Sequence, residues 1–211
     1  MEKIMIFGDS YSTYEGHIPA GYAYYYSGHK DTPPDLDSVD KTWWKLLVDE
    51  KNYDLAMNNS WSGSTICYTG YNNFDASTSN SFIYRFEKLL ENGFFKENHI
   101  DKLLVFGATN DNWCGAPEGE IKYGDISHEE RYKVLPGISH FVERLVAELK
   151  GTKIYFIINT ELKPTVTNGI AEICEHYGVP TIKLEGIDKI NGHPTELGMI
   201  QIKDQVAAAI G

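Results

Sequence analysis

Five short apolar runs, at 4–7, 53–57, 103–106, 154–158 and 179–184, alternate along the chain with segments patterned for helix. Runs of four to six apolar residues without polar alternation read as strands covered on both faces. The intervening segments carry apolar residues at helical spacing. Trp44, Leu47 and Val48 form one set, and Phe82, Phe86, Leu89 and Leu90 a second. Leu135, Ile138, Val142, Leu145 and Leu149 form a longer stripe, and Ile170, Ile173 and Tyr177 another. A last helix is expected from Pro194 towards Ile210, with proline in its first turn. Ser127 and Glu130 read as a capping box for the 135–149 helix, which Pro136 and Gly137 should kink. Strands alternating with helices predict an α/β chain: a three-layer α/β/α sandwich around a five-stranded parallel sheet, joined by right-handed crossovers.

The 211 residues suit a single domain at 1–211 with a core of its own, and no internal repeat or low-complexity linker divides them. A formal net charge of -11 argues against nucleic acid and against an anionic membrane surface, both of which need clustered Lys and Arg. Cys67, Cys114 and Cys174 are odd in number and far apart, so neither a disulfide framework nor a zinc site is expected. No other cofactor is implied. No apolar run is long enough to span a bilayer, and the chain opens on Met1-Glu2-Lys3 without a visible leader, so a cytoplasmic location is expected.

Parallel sheets of this kind place their sites at the carboxyl ends of the strands. The unusual polar residues fall there. The first strand ends in Gly8-Asp9-Ser10-Tyr11-Ser12 and the second runs into Asn58-Asn59-Ser60-Trp61-Ser62-Gly63-Ser64-Thr65. The third ends in Gly107-Ala108-Thr109-Asn110-Asp111, and Asn191-Gly192-His193-Pro194 follows the last. Alone, each is ordinary turn or cap chemistry. Together at one sheet edge they supply a hydroxyl, glycine backbone donors, an amide and an imidazole, the parts that acyl transfer needs.

Phe7-Gly8-Asp9-Ser10, Ser62-Gly63, Gly107-Ala108-Thr109-Asn110-Asp111 and His193-Pro194, in this order, resemble the SGNH or GDSL-type hydrolase superfamily over almost the whole chain. The resemblance implies a flavodoxin-like sandwich and an esterase or lipase-type activity. It also implies Ser10 as nucleophile, His193 as base, and the Ser10 N–H, the Gly63 N–H and the Asn110 amide as oxyanion donors. Glycine at 63 would leave its N–H open to a carbonyl oxygen. The other familiar serine-hydrolase signature, G-x-S-x-G, is absent because position 12 is Ser. A nucleotide-binding sheet is disfavoured because the first loop lacks a glycine-rich phosphate cradle.

One position departs from the family pattern. An Asp is usual three residues before the histidine, and Ile190 stands there. Asp188 is the nearest upstream carboxylate and the first candidate to orient His193. A backbone carbonyl, leaving a Ser–His dyad, and Glu196 are the alternatives. Were His193 to cap the last helix, the helix dipole would disfavour its cation.

A Tyr-rich insertion at about 14–42, holding Tyr22, Tyr24, Tyr25 and Tyr26, is long for a βα connection and reads as a lid, a binding loop or a packed loop. Its Asp35, Asp37 and Asp40 lack the spacing of a calcium loop, and His17, His29 and His128 form no ligand pattern. Tyr11, Trp61 and Trp113 are the candidate substrate-binding aromatics. The substrate expected is a small-molecule ester with a short acyl group, acetyl foremost, on a carbohydrate or similar alcohol. A thioesterase or lysophospholipase on the same site is the first alternative, and a weakly active carbohydrate-binding protein on a hydrolase scaffold the second.

Overall fold

The computed structural model describes residues 1–28 and 32–211. The main elements are β1 (Lys3–Gly8), α1 (Trp43–Lys51), β2 (Asp54–Ser60), α2 (Phe82–Glu91), α3 (Phe94–Glu97), β3 (Lys102–Gly107) and α4 (Thr109–Trp113). They continue with α5 (Val134–Glu148), β4 (Lys153–Ile158), α6 (Pro164–His176), β5 (Thr181–Lys183), β6 (Lys189–Ile190), β7 (His193–Pro194) and α7 (Glu196–Ile210). The first five strands form one sheet in the order β2-β1-β3-β4-β5, every neighbouring pair parallel. The expected three-layer flavodoxin-like sandwich is the fold observed.

Strand side chains alternate between the two faces. Met5, Phe7, Leu103, Val105, Phe156 and Ile158 pack with Phe82 and Phe86 of α2, Phe141 and Leu145 of α5, and Ile170 and Ile173 of α6. Ile4, Ile6, Leu104, Phe106 and Ile157 pack with Trp43, Trp44 and Leu47 of α1 and Met199, Ile202 and Val206 of α7. Each such side chain contributes about 1.5–3 kcal/mol by leaving water, which is why the apolar runs dictate the sheet. β1 has β2 on one side and β3 on the other. The chain leaves β1 towards β2 and leaves β3 towards β4, in opposite directions, and the resulting crevice at the carboxyl ends of β1 and β3 is where such sheets bind ligands.

Four local expectations are corrected. β2 runs on through Asn58, Asn59 and Ser60, all buried, rather than ending at 57. Ser127 and Glu130 do bond reciprocally, Ser127 N–H to Glu130 Oε2 at 2.8 Å and Glu130 N–H to Ser127 Oγ at 3.3 Å, but they close a 3-10 turn at Glu130–Tyr132 instead of starting α5. Pro136 stands in the first turn of α5, where its missing N–H has no partner to lose. Pro194 lies outside α7: Thr195 caps that helix, accepting the Gly198 N–H at 3.2 Å.

Within 14–42, the described residues hold no α-helix or strand and one 3-10 turn, Val39–Lys41. Asp37 pairs with Lys41 at 2.9 Å, and Asp35 accepts the Glu196 N–H at 3.0 Å. His29 lies outside the described residues. No helix among the described residues is long and apolar enough to cross a membrane.

Candidate active site

Asp9 Oδ1 accepts the Tyr11 N–H at 3.1 Å and caps a single 3-10 turn at Ser10–Ser12, the point where β1 turns away from the sheet. The backbone packs tightly here: a Cβ at Gly8 would lie 2.7 Å from the hydroxyl oxygens of Ser12 and Ser60. Ser12 is occupied, its Oγ accepting the Trp43 indole N–H at 3.1 Å. Ser10 Oγ instead faces His193 Nε2 at 3.0 Å.

His193 reaches Ser10 because β6 and β7 form a two-residue antiparallel pair, closed by Asn191-Gly192 with positive φ at both residues. That is the geometry of a type I′ hairpin, for which Asn-Gly is the favoured sequence. The turn places the Asn191 carbonyl oxygen 3.4 Å from His193 Nδ1, a long hydrogen-bond distance. With Nδ1–H directed at that carbonyl, Nε2 is left unprotonated towards Ser10. Burial, the dominant cause, drives the imidazole down to about 4, and Lys189 adds to the shift while the Asn191 carbonyl opposes it.

Asp188 is not the partner of His193. Its carboxylate accepts the Thr195 hydroxyl, its N–H donates to Gln201 Oε1 at 2.7 Å, and its carbonyl accepts the Thr195 N–H at 3.2 Å. Asp188 thus belongs to the start of α7. Glu196 points elsewhere, pairing with Lys41 at 2.9 Å. Of the three alternatives, the backbone carbonyl is the one in place. His193 does not cap α7 either, so burial rather than the helix dipole depresses it.

Gly63 has φ +78, which favours glycine, and a Cβ there would meet nothing within 4 Å. The two residues before it are tied down. The Trp61 N–H donates to the Gly8 carbonyl at 3.1 Å, and the Ser62 N–H donates to the Ala23 carbonyl at 2.8 Å. Asn110, in the first turn of α4, donates from Nδ2 to the Ser64 carbonyl at 3.0 Å and accepts the Tyr71 hydroxyl on Oδ1 at 2.9 Å. Ala108 precedes it with φ +70, an unfavourable conformation for a residue with a Cβ. The buried Asp111 carboxylate holds the Ile66 N–H at 2.9 Å and the Cys67 N–H at 2.9 Å, locking α4 to the Gly63 loop.

Arg85, on α2, is the residue that sequence reasoning missed most completely. It is fully buried, between the Phe7 and Phe82 rings at 4.6 and 4.5 Å. Its guanidinium donates to the carbonyls of Gly8 (3.2 Å), Asn59 (2.6 Å) and Asn80 (3.0 Å), to Asn59 Oδ1 (2.5 Å) and to Ser64 Oγ (3.1 Å). It therefore joins the ends of β1 and β2 to the Gly63 loop. Tyr71 carries no sequence signal either, while Tyr25 and Tyr26, expected only as part of a lid, binding loop or packed loop, lie against His193 and its hairpin.

The three candidate substrate aromatics separate. Tyr11 is wholly buried with its hydroxyl on the Gly192 carbonyl, so it offers no face to a substrate. Trp113 is 40% exposed and lies edge-on to His193, centroids 5.8 Å apart. Trp61 is partly exposed and packs on Tyr22 at 4.2 Å.

A doubly wound sheet with a serine and a histidine joined at its switch point defines a hydrolase of the serine type. The chain belongs to the GDSL-like lipase/acylhydrolase family, whose model matches residues 2–210, and it is an ester-hydrolysing enzyme of that class. It is similar to a protein assigned as a GDSL-like lipase from Bacteroides ovatus, with 38% identity, 100% of this chain and 98% of that one covered, and a TM-score of 0.92. A second such protein, from Bacteroides uniformis, is 39% identical, with 99% and 95% covered and a TM-score of 0.91. The fold is shared with a family two carbohydrate esterase from Clostridium thermocellum, solved in complex with cellohexaose. That protein is 14% identical, with 99% of this chain and 63% of that one covered and a TM-score of 0.66. No curated protein sequence matches the chain.

Proposed function

We propose that this enzyme removes short acyl groups, acetyl foremost, from carbohydrate esters through an acyl-enzyme on Ser10. The observation that carries the reading is the 3.0 Å contact between Ser10 Oγ and His193 Nε2, with the Asn191 carbonyl behind the ring. His193 takes the Ser10 proton as Oγ attacks the ester carbonyl. The Ser10 and Gly63 N–H groups and the second Nδ2 hydrogen of Asn110 receive the developing oxyanion. His193 then returns the proton to the leaving alcohol, and water repeats the steps to release the acid.

Two features favour a small acyl group on a sugar. Ser10 and Asn110 are each only 3% exposed, which leaves little room at the reacting atoms for a long chain. Around them the partly exposed rings of Trp61, Trp113 and Tyr71 offer flat apolar faces of the kind on which sugar rings stack. The C. thermocellum esterase of the same fold, solved with cellohexaose, is an analogy in the same direction.

The test compares p-nitrophenyl acetate, butyrate and octanoate, followed by acetate release from acetylated xylo- and cello-oligosaccharides. Highest kcat/KM on acetate and release from the sugars support the proposal. Preference for octanoate turns the assignment towards a lysophospholipid or thioester substrate.

A further inference from the structure

The base of this dyad has no carboxylate among the described residues to hold it, and its one backbone contact is long. What surrounds it instead is tyrosine. The Tyr25 ring lies flat on the His193 imidazole, centroids 3.6 Å apart and planes 9° from parallel. On either side of His193 in the chain, the neighbouring carbonyls are held by tyrosine hydroxyls: Tyr11 donates to Gly192, and Tyr26 donates to Pro194 at 3.0 Å. We infer that Tyr11, Tyr25 and Tyr26 form a clamp that sets the His193 ring on Ser10, with Tyr25 as its principal positioning residue. The inference rests on the reading of His193 as the base.

Three observations give the clamp its physical content. A backbone acceptor at Nδ1 fixes one point of the ring but leaves rotation about the side-chain bonds free, whereas a stacked ring fixes the plane. The two hydroxyl contacts hold the backbone on both sides of His193, so the β6–β7 hairpin is pinned to the Ser10 turn through Tyr11 and to the insertion through Tyr26. The clamp also reaches the nucleophile. The Tyr25 N–H donates to Thr13 Oγ1 at 2.8 Å, and Thr13 Oγ1 donates to the Ser10 carbonyl at 3.0 Å. One residue of the insertion is therefore bonded through Thr13 to the Ser10 turn while its ring covers the base. This gives part of the 14–42 segment a role other than a lid.

The charged and titratable groups around the ring are few. Lys189 comes from β6, Tyr11 from the Ser10 turn, and Tyr25 and Tyr26 from the insertion. Lys189 is in turn paired with Glu161 at 3.1 Å, and its ammonium lies 5.5 Å from the Tyr11 ring. No carboxylate touches the imidazole among the described residues, and the stack on Tyr25 keeps water off one face. Uncovering that face should let the imidazole return towards its ordinary value of 6.5.

The test measures kcat, KM and the pH dependence of kcat/KM on p-nitrophenyl acetate for wild type, Tyr25→Leu, Tyr25→Phe and Tyr26→Phe, with Ser10→Ala alongside. Tyr25→Leu should lose about ten- to hundred-fold in kcat with KM nearly unchanged, the scale expected of a misplaced base. Its acid limb should move upward in pH. Tyr25→Phe, which keeps the ring, should restore most of the rate and the wild-type limb. Tyr26→Phe, which deletes only a hydroxyl, should lower kcat without a change in fold by circular dichroism. Wild-type kcat and an unmoved limb in Tyr25→Leu overturn the clamp. If Ser10→Ala is at background in the same series, the dyad stands without it. Full activity in Ser10→Ala would instead remove the dyad reading and the clamp with it.

Discussion

The Tyr71 hydroxyl donates to Asn110 Oδ1 at 2.9 Å, so the Asn110 amide can present only its nitrogen to the site. One Nδ2 hydrogen is spent on the Ser64 carbonyl at 3.0 Å, and the other is free for an oxyanion. Burial pushes the Tyr71 hydroxyl up to about 12, so it remains a donor throughout the working pH range. Asn110→Ala should cost roughly 10²–10³ in kcat, the loss typical of one oxyanion donor. Tyr71→Phe should cost about ten-fold, from an amide no longer held in one orientation. Steady-state kinetics on an acetyl ester check both, and an unchanged kcat in Asn110→Ala would remove it from the oxyanion site.

The pH dependence follows from His193. Its depressed value of about 4 means that the imidazole is neutral, and able to take a proton, at every pH well above 4. Lowering the pH through that value protonates it and removes the base. The acid limb of kcat/KM should therefore fall near pH 4 rather than near the 6.5 of an open histidine. A rate profile from pH 3.5 to 8 with an inflection at 6.5 would contradict the partly buried setting of His193, which has no carboxylate at its ring among the described residues.

Asp188 provides a separate check on the dyad. Because its carboxylate serves Thr195 at the start of α7, Asp188→Ala should reduce kcat by less than about ten-fold. Loss of a true third triad member costs on the order of 10⁴. Thermal stability, in contrast, should fall, since the Thr195 contact anchors the helix. A kcat loss of several decades with stability intact would restore Asp188 to the site.

Asp9 is buried, and burial raises its carboxyl to about 7. Its Oδ2 has no hydrogen-bond partner among the described residues. Between about pH 4 and pH 7 the unfolded chain has released this proton while the folded chain retains it, so Asp9 makes stability fall as pH rises across that window. Asp9→Asn keeps an acceptor for the Tyr11 N–H and removes the slope. Its melting temperature relative to wild type should rise from pH 4 to pH 8, by an amount on the order of a few kcal/mol in free energy. A constant difference across the range would show that Asp9 is ionised in the folded protein.

Much of this molecule is legible in its residue order, and what is not has identifiable causes. The runs at 103–106 and 154–158 reveal their strands because central parallel strands are apolar on both faces. Asn58 and Ser60 conceal the end of β2 because they are polar. They are tolerated inside because Asn58 Nδ2 donates to the Ser12 carbonyl at 2.8 Å and the Ser60 hydroxyl donates to Asn58 Oδ1 at 2.6 Å. Ser10 and His193 were readable from motifs at the strand ends. Arg85 was not, since an arginine on a helix is ordinarily a solvated charge, and only the meeting of Gly8, Asn59, Ser64 and Asn80 buries it. The Asn191-Gly192 pair did carry a signal. Read as a hairpin turn, it separates His193 from the last helix and leaves a carbonyl, rather than Asp188, behind the ring.

The most direct measurement is intact-protein mass spectrometry after treatment with a fluorophosphonate, with peptide mapping of the adduct, on wild type, Ser10→Ala and His193→Ala. A single adduct on Ser10 is expected in wild type, none in Ser10→Ala, and labelling slowed by several decades in His193→Ala. An adduct on another serine, or equal labelling of all three proteins, would contradict the dyad on which the account depends.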